Sequence, residues 1–136
     1  MTVNGELDGL HRVSRVAESF YNLFDRKAIS IDASSVKQNP VVVLKGQNHL
    51  QFANGTNPPF VVKRLDLKAD VSNQDAQLAT SAVVVDFLCM HHENGGCDAR
   101  ESSKRMAARV KDTRKFLDPM IQAFKMEGNL NIKKKL

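Results

Sequence analysis

Apolar residues in the first part of the chain recur at helical spacing. Between Glu6 and Lys27 they fall every three or four residues, and polar residues occupy the positions between them. The apolar positions are Leu10, Val13, Ala17, Phe20 or Tyr21, and Phe24. Because a helix places such positions on one face, this spacing predicts an amphipathic helix. We therefore expect residues 1–28 to form an N-terminal helical segment.

The period then changes to two. In the segment VVVLKGQNHLQFA, from Val41 to Ala53, apolar and polar residues alternate around a possible bend at Gly46. Val42, Leu44, Leu50 and Phe52 would share one face, and Lys45, Gln47, His49 and Gln51 the other. This alternation predicts a half-buried strand. The Asn54-Gly55 pair and the Pro58-Pro59 pair that follow predict a turn and a longer connection.

Two further segments have the composition of strands. FVVKRLDLKADV, residues 60–71, alternates again, and Thr80 to Met90 is nearly all apolar and β-branched, which is typical of a strand covered on both sides. A shorter strand is predicted around Ile29 to Ala33. Because a parallel crossover needs a dozen or more residues and the connections here are shorter, residues 29–92 are predicted to form an antiparallel sheet of about four to six strands.

The C-terminal part returns to helical spacing. Asp98 and Glu101 form a capping-box pattern, which predicts a helix start. The inward stripe is Met106, Val110, Thr113 and Leu117, continued by Met120 or Ile121 and Phe124. The Asp118–Pro119 pair predicts two helices, or one bent helix, over residues 98–127. Gly128 and Asn129 are expected to end it, leaving residues 128–136 as a mobile basic tail.

Length and composition favour a single α+β domain over residues 1–136, with the helices packed on one face of the sheet. No apolar run is long enough to span a bilayer and the start is not signal-like, so we expect a soluble, unsecreted protein. In a reducing cytosol its two cysteines would be free thiols.

The segment CMHHENGGC, residues 89–97, contains both cysteines and two of the four histidines. A zinc site is one interpretation, but Cys89 and His91 would share a strand face while His92 points to the other. A disulfide between Cys89 and Cys97 across the turn is a second, and it requires a suitable Cβ geometry. We favour a third, in which the segment is a strand end, a glycine turn and a helix cap. No metal or other cofactor is predicted.

No group of residues indicates catalysis. Asp86 stands alone among apolar residues, which favours a place at a sheet edge or a pairing across an interface. His11 in the first helix is expected to be a surface or a satisfied core histidine. The glycine-rich phosphate-binding motifs and the G-x-S-x-G motif of hydrolases do not occur. We therefore predict that the protein is not an enzyme.

The formal net charge of +5 is unevenly distributed. Residues 98–136 contain eleven Lys and Arg against five Asp and Glu, so the basic surplus is C-terminal. Such a surplus suits a polyanion, although a solvated basic helix face looks the same. If the two alternating strands are neighbours, one polar sheet face would bind RNA through Lys45, Gln47, His49, Gln51, Arg64 and Lys68. An ordinary solvated sheet face is the alternative, because Asp66 and Asp70 alternate with these cations.

The order of elements after residue 60 resembles that of the coat proteins of the single-stranded RNA bacteriophages, the leviviruses. The resemblance covers roughly residues 60–127 and is carried by the VVVDF segment, Val83 to Phe87, a short turn, and a basic helix interrupted at Asp118–Pro119. It implies that two subunits join their sheets side by side and that the C-terminal helices cross onto the partner. It further implies a structural protein of the virion, assembled in the bacterial host cytoplasm into an icosahedral shell whose inner sheet face binds genomic RNA or an RNA hairpin.

An intertwined homodimer is also expected on physical grounds, since exchanging the helix pair with a second copy buries additional apolar surface. A compact monomer with three helices on one sheet face is the alternative. Two other functions stay open. One is a small RNA-binding adaptor, similar in element order to signal-recognition-particle subunits, that uses Arg105, Arg109 and Lys115. The other is a transport-factor-like module that binds protein.

Overall fold

The computed structural model describes residues 1–52, 60–92 and 96–133, and most of them are helical. The strands are β1 (Thr2–Gly5) and β2 (Val41–Leu44). The α-helices are α1 (Val13–Phe20), α2 (Ala33–Gln38), α3 (Phe60–Leu65), α4 (Asn73–His91) and α5 (Ala99–Lys133). A π-helical turn, Tyr21–Asp25, continues α1, and a 3-10 turn, His49–Phe52, follows β2.

The predicted antiparallel sheet of four to six strands is wrong. In the described ranges the sheet has two strands, which run parallel, with Thr2 opposite Val41 and Gly5 opposite Leu44. Residues 6–40 connect them and contain α1 and α2, so this connection has the length that a parallel crossover needs. The antiparallel prediction relied on short connections between segments that were taken as strands, and most of those segments are not strands in the structure.

Two of the predicted strands are helices. Residues 60–65 form α3, and the apolar run from Thr80 to Met90 belongs to α4. The Ser72 hydroxyl caps α4 by accepting the Asp75 N–H at 3.1 Å. Buried positions of α4 include Ala76, Val83 and Met90, each seven residues from the next, which corresponds to two helical turns. A short apolar run does not distinguish a buried strand from a helix, and here the helix cap decides.

The predicted strand at residues 29–33 is also replaced by a helix start. The Asp32 carboxylate accepts the N–H groups of Ser34 and Ser35 at 2.9 and 3.0 Å, so it caps α2. These backbone hydrogen bonds hold the pKa of Asp32 below its ordinary value. A capping aspartate favours the helix over an extended chain because it satisfies amides that would otherwise lack partners.

The strand predicted over Val41–Ala53 is shorter in the structure. It ends at Leu44, and Gly46 follows with a φ of +67°, a conformation that favours glycine. The chain then turns back, so Gln47 and Gln51 are buried and the two-residue alternation stops. The N-terminal helix is confirmed over residues 13–25, where Ala17, Phe20 and Phe24 are buried. The first part of the expected helical segment, residues 1–28, is wrong, because Thr2–Gly5 forms β1 and Leu10 lies exposed before the helix.

The helix start at Asp98 is confirmed. The Asp98 carboxylate accepts the N–H groups of Arg100 and Glu101 at 2.9 and 3.1 Å. The predicted stripe is confirmed as well, and its buried members are Met106, Val110, Thr113, Leu117 and Ile121. Of the two alternatives at Asp118–Pro119, the structure has one helix, with Pro119 inside it. The predicted end at Gly128 and Asn129 is wrong, because that helix continues past them.

The core lies where α5 meets α1, α2, β2 and the inner face of α4. Its buried members include Val16, Phe20, Val36, Val41, Val42, Val83, Met106, Val110, Leu117 and Ile121. Phe20 and Phe24 contact each other with their ring centroids 4.8 Å apart. The long helix α5 therefore supplies one wall of the core and positions residues along its whole central part.

Cys89 and Cys97 form a disulfide, with Cα atoms 6.0 Å apart, so the expectation of free thiols is wrong. The bond joins the last turn of α4 to the residue before the Asp98 cap. Of the favoured interpretation, a strand end, a turn and a cap, the cap is confirmed and the strand end is wrong, because residues 89–91 belong to α4. The predicted turn residues 93–95, the Asn54-Gly55 and Pro58-Pro59 pairs, and residues 134–136 lie outside the described ranges.

Candidate nucleic-acid interface

A groove lies between β2 and the middle of α5. Its lining residues are Val42, Val43, Leu44, Lys45, Arg109, Asp112, Thr113, Lys115 and Phe116. The N–H of Val43 donates to the hydroxyl of Thr113 at 2.9 Å, and Thr113 is buried. This hydrogen bond joins α5 directly to the strand, so the two walls of the groove have a fixed separation.

The helical wall presents one face of α5. Arg109, Asp112, Thr113 and Phe116 are spaced by three, one and three residues, which places them on one side of a helix. Lys45 comes directly after β2 and lies across the groove from this face. Tertiary structure therefore brings a cation from the first half of the chain to the basic segment of the second half.

Asp86 on α4 holds two arginines of α5. Its carboxylate accepts from Arg105 Nε at 3.0 Å and from Arg105 Nη2 at 2.6 Å, and it also accepts from Arg109 Nη1. The Arg105 guanidinium donates to the Ser102 hydroxyl at 2.9 Å as well. Asp86 was expected at a sheet edge or paired across an interface, but it lies on α4 and its partners are two arginines of the same chain.

The two arginines neutralise a buried carboxylate. The Asp86 side chain is 5% exposed. Burial raises its pKa, but hydrogen bonds from Arg105 and Arg109 outweigh burial, and the pKa lies below its ordinary value. The same contact raises the pKa of Arg105. Arg105 and Arg109 are 54% and 29% exposed, so each keeps N–H groups that a ligand can reach.

The remaining groove cations are accessible. Lys115 pairs with Asp112 at 3.1 Å, but both side chains are largely exposed, and such a pair is too weak to keep Lys115 from another anion. Lys45 is exposed and makes no ion pair with the described residues. Three cations line the groove, Lys45, Arg109 and Lys115. Arg109 pairs with Asp86 and Lys115 with Asp112, which leaves a surplus of positive charge.

One aromatic residue lines the groove beside these cations. Phe116 is partly buried and packs against the hydrophobic core. An aromatic ring next to cations is the arrangement on which unpaired bases stack in single-stranded nucleic acid. The polar sheet face that was predicted to bind RNA did not include this residue, because Phe116 lies on α5.

The structure separates the six residues predicted to bind RNA. Lys45 lies in the groove, but Gln47 and Gln51 are buried. The Gln47 amide donates to the Thr80 hydroxyl at 3.0 Å, and the Gln51 amide donates to the Val71 carbonyl at 2.8 Å. Gln47 therefore connects the segment after β2 to α4, and Gln51 connects it to the residues just before α4.

The other three predicted residues lie outside the groove. His49 contacts the buried Asp8 carboxylate through Nδ1 at 2.9 Å. Arg64 is exposed on α3, and Lys68 is exposed in the segment after it. Arg109 was predicted as an RNA contact only in the adaptor alternative, together with Arg105 and Lys115, and Phe116 was in neither predicted set. The helical spacing of residues 109, 112, 113 and 116 within the basic segment was the signal that could have found Phe116.

The zinc interpretation of Cys89, His91, His92 and Cys97 loses two ligands to the disulfide. In the described ranges, no group of three or more His, Cys, Asp or Glu side chains converges on a point that could hold a metal ion. His91 instead contacts the ring of Phe87, with centroids 4.7 Å apart.

None of the helices in the described part of the chain has the length and apolar character needed to cross a membrane. Comparison of the chain with protein-family models, with curated proteins and with solved structures found no match. The groove must therefore be interpreted from its own residues.

Proposed function

We propose that the protein binds single-stranded RNA in the groove between β2 and α5. The observation that carries this proposal is the juxtaposition of Lys45, Arg109 and Lys115 with the ring of Phe116. Cations attract the phosphate backbone of any nucleic acid, whereas an accessible ring selects bases that are not stacked in a duplex.

The contacts of Asp86 support the same function. Because this buried carboxylate holds Arg105 and Arg109 on one side of α5, their side chains lose little freedom when they meet a phosphate. Arginine offers several donors in a planar arrangement, so a guanidinium fixed by one carboxylate can still donate to a phosphate oxygen. Asp86 thus acts as a positioning residue for the helical wall.

Binding of a fluorescent single-stranded RNA oligonucleotide, followed by anisotropy over a range of salt concentrations, tests the proposal. The double variant Lys45→Gln/Lys115→Gln removes two groove cations. Losing two phosphate contacts should lower affinity by on the order of tenfold at 0.1 M salt and reduce the salt slope by about 1.4. The matched control, Lys27→Gln/Lys37→Gln, removes the same charge from exposed positions outside the groove.

A second variant separates stacking from charge. Phe116→Leu keeps an apolar side chain of similar size against the core but removes the ring, so affinity should fall while the salt slope stays unchanged. Equal weakening by both lysine pairs would show that only overall charge matters. Absence of salt-dependent RNA binding in the unsubstituted protein would favour the protein-binding module instead.

A structural coat protein that encloses RNA is the second candidate function. The observation that favours it is the set of large apolar residues exposed on α4, which suits self-association. The sheet face that the resemblance implied for RNA binding is not formed by the described residues, so in such a shell the groove would have to contact the RNA. A megadalton, RNA-containing particle in light scattering would support this function, and a small species at all concentrations would exclude it.

A further inference from the structure

The outward face of α4 is apolar and uncovered. Leu78, Val85 and Leu88 are 62%, 59% and 50% exposed, and Ser81 and Ala82 lie exposed among them. The opposite face of the same helix packs on α5. Exposing several large apolar side chains along one helix is unfavourable in water, so this face is expected to meet a partner.

The spacing of this outward face is that of a helix-packing seam. We define the α4 stripe as Leu78, Ser81, Ala82, Val85 and Leu88. The steps from 78 to 81, 85 and 88 are three, four and three residues, which matches alternate a and d positions of a heptad. The stripe is also symmetric about its middle. An antiparallel copy places Leu78 opposite Leu88 and Ser81 opposite Val85, so each a position meets a d position.

The charge of the face indicates what the partner is. Between Ala76 and Met90 the one charged residue is Asp86, which is buried and paired with arginines of α5. A charged partner would find no opposite charge on the α4 stripe. A second copy brings an equally uncharged, apolar face, and contact there avoids bringing together the like charges of two chains that each carry a net charge of +5.

We propose that a second copy of this chain docks on the α4 stripe, with the two α4 helices antiparallel across a two-fold axis. Such an interface is isologous, since the same patch serves both subunits. The small side chains of Ser81 and Ala82 let the helices approach closely near the axis, and the leucines close the two ends. No residue of the α4 stripe lines the RNA groove, so the proposal is independent of RNA binding.

Light scattering after size exclusion measures the mass of the full chain in solution. Val85→Asp places a charge in the middle of the stripe and should halve the mass at concentrations where the unsubstituted protein is a dimer. The control Ala79→Asp adds the same charge to an exposed position on another side of α4 and should leave the mass unchanged. A monomeric unsubstituted protein at high concentration, or equal loss in both variants, would overturn the proposal.

Cross-linking tests the antiparallel register. The single variants Ser81→Cys and Val85→Cys are mixed and oxidised, and each carries one free thiol because the described native cysteines are paired. The mixture should form a covalent dimer much faster than Ser81→Cys alone, whose Cα atoms would be too far apart to bridge. Equally fast cross-linking of Ser81→Cys alone would contradict the register. Circular dichroism confirms that each variant is folded.

Discussion

Two regions of this molecule are stabilised in different ways. In the hairpin of α4 and α5, apolar side chains at helical spacing, such as Met106 and Leu117, are fully buried. In a second region, which we name the polar junction (residues 5–11, 46–52 and 66–71), buried or partly buried polar side chains bind the backbone instead. The interior is therefore held together by packed apolar side chains in the hairpin, and by hydrogen bonds from polar side chains to loop backbone in the polar junction.

The polar junction depends mostly on two aspartates. Asp8 accepts the N–H groups of Leu10 and His11 at 2.9 and 2.6 Å. Asp66 accepts those of Gly9, His49 and Leu50 at 3.0, 3.3 and 3.0 Å. Because these loops lack ladder partners for their amides, the carboxylates replace the hydrogen bonds that a strand would have made. We therefore expect removal of a hydrogen-bond acceptor to destabilise the polar junction, and removal of buried side-chain volume to destabilise the hairpin.

The largest effect is expected from a cavity in the hairpin. Leu117→Ala removes a fully buried side chain and should lower the free energy of unfolding by about 2–5 kcal/mol, measured by urea denaturation. The control Met126→Ala truncates a residue that is 67% exposed on the same helix, and its effect should stay within about 0.5 kcal/mol. Similar losses in both variants would mean that this part of α5 is not packed as described.

A smaller loss is expected from the polar junction. Asp66→Asn keeps the shape but replaces one accepting oxygen with an amide nitrogen, which leaves the Leu50 N–H without its acceptor. The free energy of unfolding should fall by about 1–3 kcal/mol. Asp70→Asn makes the same chemical change at an exposed position. If the two variants were equally stable, the loops would not depend on Asp66.

The smallest effect is expected from Asp86, because its arginine partners are partly exposed and solvent weakens the pair. In the folded protein its pKa lies below the ordinary 3.8. A carboxyl with a lowered folded pKa stabilises the fold above the unfolded pKa, and this stabilisation disappears as pH falls through the folded pKa.

The stability difference between the unsubstituted protein and Asp86→Asn should therefore be constant from neutral pH to about pH 5 and shrink below about pH 4. Urea denaturation at a series of pH values measures it. The control Asp112→Asn removes the same negative charge from an exposed carboxylate of the groove. A difference that grew in acid would contradict the assigned ion pairs.

The hairpin was partly predictable from local pattern. The start of α5 at Asp98 and its buried stripe followed from a cap and a helical period. The start of α4 carried a similar cap at Ser72 and Asp75, but the β-branched run of Val83, Val84 and Val85 outweighed it in the interpretation. The apolar run from Thr80 to Met90 was predicted to be a strand buried on both faces. In the structure it is part of α4, which buries one face and exposes the other.

The polar junction was not predictable from the alternation of apolar and polar residues along the chain. Gln47 and Gln51 alternate with apolar residues as surface positions of a strand would, yet both are buried. The Gln47 amide nitrogen donates to Thr80 and the Gln51 amide nitrogen donates to Val71 and Asn73, all of which lie far along the chain. The Gln47 amide oxygen is buried and has no hydrogen-bond partner among the described residues. Burial of a polar side chain depends on whether distant groups can accept or donate, and that information is not local.

The sequence by itself determined the amphipathic first helix, the start and inward face of α5, and the C-terminal basic surplus, because caps, helical period and charge are local properties. Only the tertiary structure decided that β1 pairs in parallel with β2, that Asp86 joins two arginines, and that Lys45 faces Arg109 across a groove. These pairings join residues that are far apart in the chain, so they contribute to stability only after folding of the core has brought the residues together.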